Sequence, residues 1–342
     1  MSRILFFLLA SMLVFPVAGI PAGTPPDAEL AVGKTFAAKD SLNCPAEAQP
    51  DAAACLEKLK WKCGLFQVTC QAPVQGRGDW LIRFPSPAPI GDPVNDLVAM
   101  EWYQARGEDG KPKRAPVVVI VHESGRGMVA GRSIARGLCN LGFHTFLIHL
   151  PGYGERTSTV TGDMTKALPA LRQAVDDVRR ARDAVAVLPW VDSSEIAVQG
   201  TSMGGFVVAT VSGLDRGYDK FFILLAGGKI ADVILHGKQD AAKMHQRLAE
   251  AGVNDEELRQ VTSIIEPLRL AHRVDPARTW LFSGKYDEVV PPACSEAFAR
   301  AANLGLEHHY ILPVGHYTAA LLLPVLLPRL SELMAGKPLT GS

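Results

Sequence analysis

Gly200-Thr201-Ser202-Met203-Gly204 is the strongest chemical signal in the chain. A serine hydroxyl attacks a carbonyl only when it is held rigidly and exposed to a base. A tight strand-to-helix turn does both, and glycines two before and two after the serine let neighbouring backbones pass. Here the apolar Ile196-Ala197-Val198 precedes the motif and a helical pattern follows it. The helix N-terminus then favours negative charge developing at the site. The implied chemistry is nucleophilic acyl transfer by Ser202.

Such a serine needs a base, and the base needs an orienting carboxylate. Nine histidines are available. His316 is preferred, because it follows the apolar run Tyr310–Val314 and a glycine, which places it beyond the carboxyl end of a strand, where open α/β sheets bind ligands. His308 and His309 precede that run and belong at the opposite edge. His236, His245 and His272 fall in a strandless stretch, as solvated or packing residues. Asp287 follows the run Thr279–Ser283 through Gly284-Lys285-Tyr286, with Glu288 as the competing carboxylate. Two backbone amides should hold the oxyanion. One is Met203, next to the nucleophile. The other is Ser124, in the turn His122–Gly127. His122 reads as a structural hydrogen-bonding residue. Arg126 and Arg132 read as solvent-exposed, with contact to an acidic substrate group as the alternative.

These residues require a scaffold. Val117-Val118-Val119-Ile120-Val121 is a continuous β-branched run, as expected of a central strand buried on both faces. Strand patterns at Leu65–Gln71, Trp80–Phe84, Leu97–Gln104, Phe143–His149, Ile196–Val198, Phe221–Leu225, Thr279–Ser283 and Tyr310–Val314 alternate with helical ones. The longest, Met164–Leu188, carries an apolar stripe at Leu168, Leu171, Val175, Val178, Ala181 and Val185. The pattern predicts an α/β fold with a mostly parallel central sheet and helices on both faces. Residues 229–276 hold helical patterns without a strand and sit where a lid insertion belongs. The last helix, Ala319–Met334, is apolar on most sides and is expected to be buried.

Arg3, the apolar stretch Ile4–Val17 and the small residues after it have the layout of a secretory signal, assigned to residues 1–19. An uncleaved anchor is the alternative, although the run is short for a membrane span. The expectation is an exported protein, periplasmic or secreted, without stable membrane insertion after cleavage. Residues 20–75 read as a loosely ordered Pro-rich start leading into a small cap stapled by disulfides among Cys44, Cys55, Cys63 and Cys70. The main domain is assigned to residues 76–342. No C-x-x-C pair suggests zinc in that cluster. With 35 basic and 35 acidic residues the formal charge is zero, which gives no electrostatic footprint for nucleic acid.

The stretch from about Arg83 to Met334 resembles the α/β-hydrolase superfamily. The resemblance rests on the His122-Glu123 turn, Leu150-Pro151-Gly152-Tyr153-Gly154, Gly200–Gly205, Gly284–Asp287 and Gly315-His316. The chain order Ser202, Asp287, His316 is the one expected in that superfamily. The His-Glu turn looks more like the dienelactone hydrolase branch. That likeness implies that Glu123 interacts with the nucleophile, although a serine replaces that branch's cysteine and the long insertion is extra. The resemblance implies a serine hydrolase of a small-molecule ester or acyl substrate, with no metal and no cofactor. Peptidase activity on short peptides and a silent binding module are the alternatives.

Overall fold

The computed structural model describes residues 30–158 and 167–336; the signal-like residues 1–19 and the first residues of the helix expected from Met164 lie outside them. The elements run in the order β1 (Thr35–Lys39), α1 (Pro50–Leu59), β2 (Leu65–Gln71), β3 (Trp80–Pro85), β4 (Leu97–Tyr103), β5 (Ala115–Val121), α2 (Val129–Asn140), β6 (His144–His149) and α3 (Ala167–Val185). Then come β7 (Val191–Thr201), α4 (Met203–Ser212), β8 (Lys220–Leu224), α5 (Ile230–His236), α6 (Asp240–Glu250) and α7 (Asp255–Thr262). The described residues close with β9 (Thr279–Gly284), α8 (Pro292–Ala301), β10 (His309–Leu312) and α9 (Leu323–Met334). Among the described residues, ten strands form one sheet in the order β1-β2-β3-β4-β6-β5-β7-β8-β9-β10. The strands from β6 to β10 along this order pair in parallel, whereas β1 to β4, and β4 with β6, pair antiparallel.

The run predicted as a central strand is β5, and its two faces serve two cores. Val117, Val119 and Val121 pack with α3, α4 and α8 through Val175, Val178, Val208 and Phe298. Val118 and Ile120 pack on the other face, with Ile134 and Leu138 of α2 and Leu326 and Leu330 of α9. The alternation follows from the two-residue period of a strand. Helix α9 buries one face only; Val325 on it is 70% exposed.

The N-terminal segment corrects two expectations. Residues expected to be loosely ordered contain β1, which pairs with β2 at the sheet edge, and the next residues form α1. Segment and domain are tied by ions: Arg180 of α3 makes a two-pronged pair with Asp40, and Asp183 accepts from the Ser41 amide and hydroxyl. The four cysteines are free thiols. Cys55 and Cys70 are buried in the core from α1 and β2, Cys55 pointing its Sγ at the Ile264 carbonyl. Cys63 is exposed and directs its Sγ to the Leu42 carbonyl, and half-buried Cys44 packs against the core. The segment is held by packing and ion pairs in place of the expected staples.

Helix α3 carries an unusual buried acid. Asp176 is fully buried, and among the described residues neither carboxylate oxygen has a hydrogen-bond partner; the nearest cation is Arg172 Nε at 3.5 Å. Burial pushes its pKa well above the ordinary carboxylate range, against the opposing pull of Arg172. The folded state therefore binds a proton that the unfolded chain has released, and this group's contribution falls as pH rises through that window. Asp176→Asn removes the slope and stabilises the fold by about 1–2 kcal/mol at pH 8, with a smaller gain near pH 5. Urea unfolding at the two pH values checks this; an equal effect at both would contradict it.

Candidate active site

The site lies at the carboxyl ends of β5, β7, β8, β9 and β10. Ser202 occupies the sharp turn between β7 and α4 with φ 54° and ψ −117°. The strain is over-determined by its surroundings. The Ser202 amide donates to the Leu224 carbonyl at 2.8 Å, and the Gly204 amide donates to His122 O at 3.1 Å. The flanking glycines are required by space. A Cβ on Gly200 would lie 2.2 Å from the Gly204 carbonyl oxygen, and one on Gly204 would lie 2.3 Å from that of Val121. The turn thus brings β5, β7 and α4 closer than any side chain would allow.

The structure brings the three expected residues together. The Ser202 hydroxyl lies 2.9 Å from His316 Nε2, and His316 Nδ1 lies 2.7 Å from Asp287 Oδ2. The other Asp287 oxygen accepts from the amides of Val289 and Val290 at 2.9 and 2.8 Å. Asp287 is buried, and its bonding fixes the face it offers to the imidazole. Glu288, the competing carboxylate, points away and pairs with Lys238 at 2.6 Å.

Met203 and Ser124 both flank the nucleophile, Met203 as the first residue of α4 and Ser124 on the cavity wall. Among the described residues neither amide donates to another group. Tyr153 braces the pair: its hydroxyl donates to the Ser124 carbonyl at 3.0 Å and sits 3.8 Å from Met203 Sδ. His122 holds the turn from beneath. Its ring is buried, which pushes its pKa down to about 3, so it is neutral. Nδ1–H donates to Glu123 O at 2.6 Å, and Nε2 accepts from the Leu150 amide at 3.1 Å.

Two expectations for this turn are corrected. Glu123 does not hydrogen-bond Ser202; its carboxylate accepts from the Ala130 and Gly131 amides at 3.1 and 3.0 Å, satisfying the first turn of α2. Arg132 faces neither solvent nor substrate but grips Glu101 at 2.7 Å, within a buried cluster with His149 and Tyr103. Burial works to raise the Glu101 pKa, but hydrogen bonds from His149, Arg132 and Tyr103 outweigh it and hold it at about 2. Arg126 is exposed and stays off the cavity wall.

The cavity beside Ser202 has a volume of about 380 Å³. The insertion contributes one residue to its wall among the described residues, Asp240. The rest of that segment packs on the body of the domain: Thr210 of α4 donates to the Ile265 carbonyl, and Arg269 and Arg273 reach Asp51 and Glu47. His236, His245 and His272 bond to Asp232 O, Asp255 and Glu47, away from the site. His308 and His309 lie near the start of β10, at the opposite edge from His316. The cavity is walled instead by the first turns of α2 and by the segment from Tyr317 to Leu326. Tyr317, whose ring stands edge-on to His316 at 5.5 Å, was not singled out in the sequence; its place directly after the base was the available signal. No group of metal-ligating side chains occurs among the described residues.

The profile of the prolyl oligopeptidase family matches residues 132–312, more than half of the chain. No curated protein matches the sequence. Among solved structures, the acetyl xylan esterase from Paenibacillus sp. R4 is 16% identical, with a TM-score of 0.59 over 86% of this chain and 96% of that one. The α/β hydrolase GrgF from Penicillium sp. sh18 is 14% identical, with a TM-score of 0.54 over 74% and 96%. Acetyl xylan esterase 1 from Thermoanaerobacterium sp. JW/SL YS485 is 15% identical, with a TM-score of 0.53 over 85% and 96%. At this level of identity the likeness establishes the fold, that of the α/β hydrolases.

Proposed function

Because the chain belongs to the prolyl oligopeptidase family of serine hydrolases, we propose that it hydrolyses carboxylic esters through Ser202, His316 and Asp287. The observation that carries this reading is the relay from Ser202 Oγ to His316 Nε2 at 2.9 Å and from His316 Nδ1 to Asp287 at 2.7 Å, opening on a mainly apolar cavity. Ser202 Oγ attacks the carbonyl carbon while its proton passes to Nε2. Asp287 holds the Nδ1–H tautomer and stabilises the imidazolium. The tetrahedral oxyanion is held by the amides of Met203 and Ser124, and one such donor typically contributes about 2.7–4 kcal/mol to the barrier. His316 then protonates the departing alkoxide, leaving an acyl group on Ser202. Water attacks that ester, gives its proton to His316, and restores the serine.

Esters are favoured because an alkoxide leaves with less help than an amide nitrogen. Family membership supports a second reading, cleavage of short peptides on the same machinery. A matched pair separates them: an N-acyl amino acid p-nitrophenyl ester and the corresponding p-nitroanilide. The ester reading expects hydrolysis of the ester with the anilide at least about a thousandfold slower, a difference of roughly 4 kcal/mol in the barrier. Comparable turnover of the anilide would transfer the assignment to the peptidase reading.

Export belongs to the same proposal. Arg3 and the apolar run Ile4–Val17 support it. No helix among the described residues is long and apolar enough to cross a membrane. A mature N-terminus near residue 20 is the expected result of sequencing exported material, and an intact Met1 would contradict cleavage.

A further inference from the structure

The cavity beside Ser202 is more selective than the reaction requires. Its lining includes Leu224, Phe282, Leu326 and Ile134 of α2, all buried. Among the described residues no lysine or arginine lines it. Its two carboxylates are already engaged: Glu123 accepts from the α2 amides, and Asp240 accepts from Tyr317. An acyl group bearing a carboxylate would find no cation there, and a polyhydroxylated one would find few free partners. An acetyl group would leave most of the roughly 380 Å³ unfilled.

A largely apolar lining suits the part of the substrate that stays. The acyl group remains on Ser202 between the two half-reactions, whereas the alcohol must escape after its first protonation. The insertion meets this cavity at one point. Asp240, the first residue of α6, receives the Tyr317 hydroxyl at 2.5 Å, and Tyr317 directly follows the base. This exposed hydrogen bond joins two lining residues of the cavity, one from α6 and one beside the base.

Resting on the ester-hydrolase reading, we propose that this cavity is an acyl site for uncharged apolar acyl groups of medium length, and that the Tyr317–Asp240 contact sets its outer limit. Tyr317 is a specificity-determining residue in this account, separate from the proton relay.

The test uses the full chain and two substrate series: p-nitrophenyl esters from acetate to dodecanoate, and acetates of lengthening alcohols. In the acyl series kcat/KM is expected to rise by up to roughly fourfold per methylene buried and to peak between butanoate and octanoate. The alcohol series should stay within about threefold, since in this account the leaving group stays outside the cavity. Ala320→Trp fills the cavity from an exposed position that tolerates bulk, and should raise the acetate-to-hexanoate ratio by about tenfold or more. Tyr317→Phe removes the contact and should move the optimum to longer chains. Wild-type preference for acetate, an optimum set by the alcohol, or a profile that neither variant moves would overturn the acyl site. Turnover of the peptide anilide with no ester cleaved at any length is a different outcome: it overturns the ester reading itself.

Discussion

Ser202→Ala lowers kcat by about 10⁵–10⁶-fold, with folding stability unchanged within about 0.5 kcal/mol. The magnitude follows from the geometry. The only group removed is the oxygen that lies 2.9 Å from His316 Nε2, and without it no acyl intermediate forms. The turn itself should survive, because its positive φ is imposed by backbone contacts: the Ser202 amide to Leu224 O and the Gly204 amide to His122 O. Residual activity above the uncatalysed rate would come from the Met203 and Ser124 amides acting on substrate attacked directly by water. Steady-state kinetics with a p-nitrophenyl ester, beside a thermal melt, checks both halves. A loss of less than a hundredfold in the folded variant would remove Ser202 from the mechanism.

Asp287→Asn is the second large effect, at about 10⁴-fold in kcat, or roughly 5 kcal/mol. Asp287 uses both oxygens as acceptors, one for His316 Nδ1–H and the other for the Val289 and Val290 amides. An asparagine has one acceptor oxygen. Keeping it on the two amides turns the Nδ2 donor towards Nδ1, which must then present its lone pair. The imidazole proton moves to Nε2, where it faces the Ser202 hydroxyl and cannot accept its proton. Glu288→Gln is the internal control. Glu288 is over half exposed and bonded to Lys238, so its neutralisation should change kcat by less than about twofold. A reversed ranking of the two variants would transfer the orienting role to Glu288.

The parts of the site legible in the sequence are those that local chemistry dictates. Gly200, Ser202 and Gly204 announce a turn because few other arrangements need glycine on both sides of a serine. Asp287 and His316 could be placed because each follows a strand whose apolar pattern is continuous. The same holds for β5, whose unbroken β-branched run has a core on each face. What stayed hidden depends on distant partners. Strand β1 is TFAAK, too weak a pattern to stand alone, and becomes a strand by pairing with β2 some thirty residues on. Glu123 had a plausible role by resemblance. Helix α2, however, begins at Val129, and its first amides claim the carboxylate. The cysteine spacing gave no hint that Cys55 and Cys70 would be turned into the core. Helices in the insertion were readable, but which surface they cover was not, because that depends on Arg269 and Arg273 finding Asp51 and Glu47 more than two hundred residues away.

The most direct measurement is covalent labelling with a fluorophosphonate. It reports whether the serine is activated, independently of which ester or peptide the enzyme prefers. The account predicts stoichiometric labelling of the folded protein, mapped by peptide mass to the fragment carrying Ser202 and lost in Ser202→Ala. Labelling of a different residue, or none in protein shown to be folded, would contradict it.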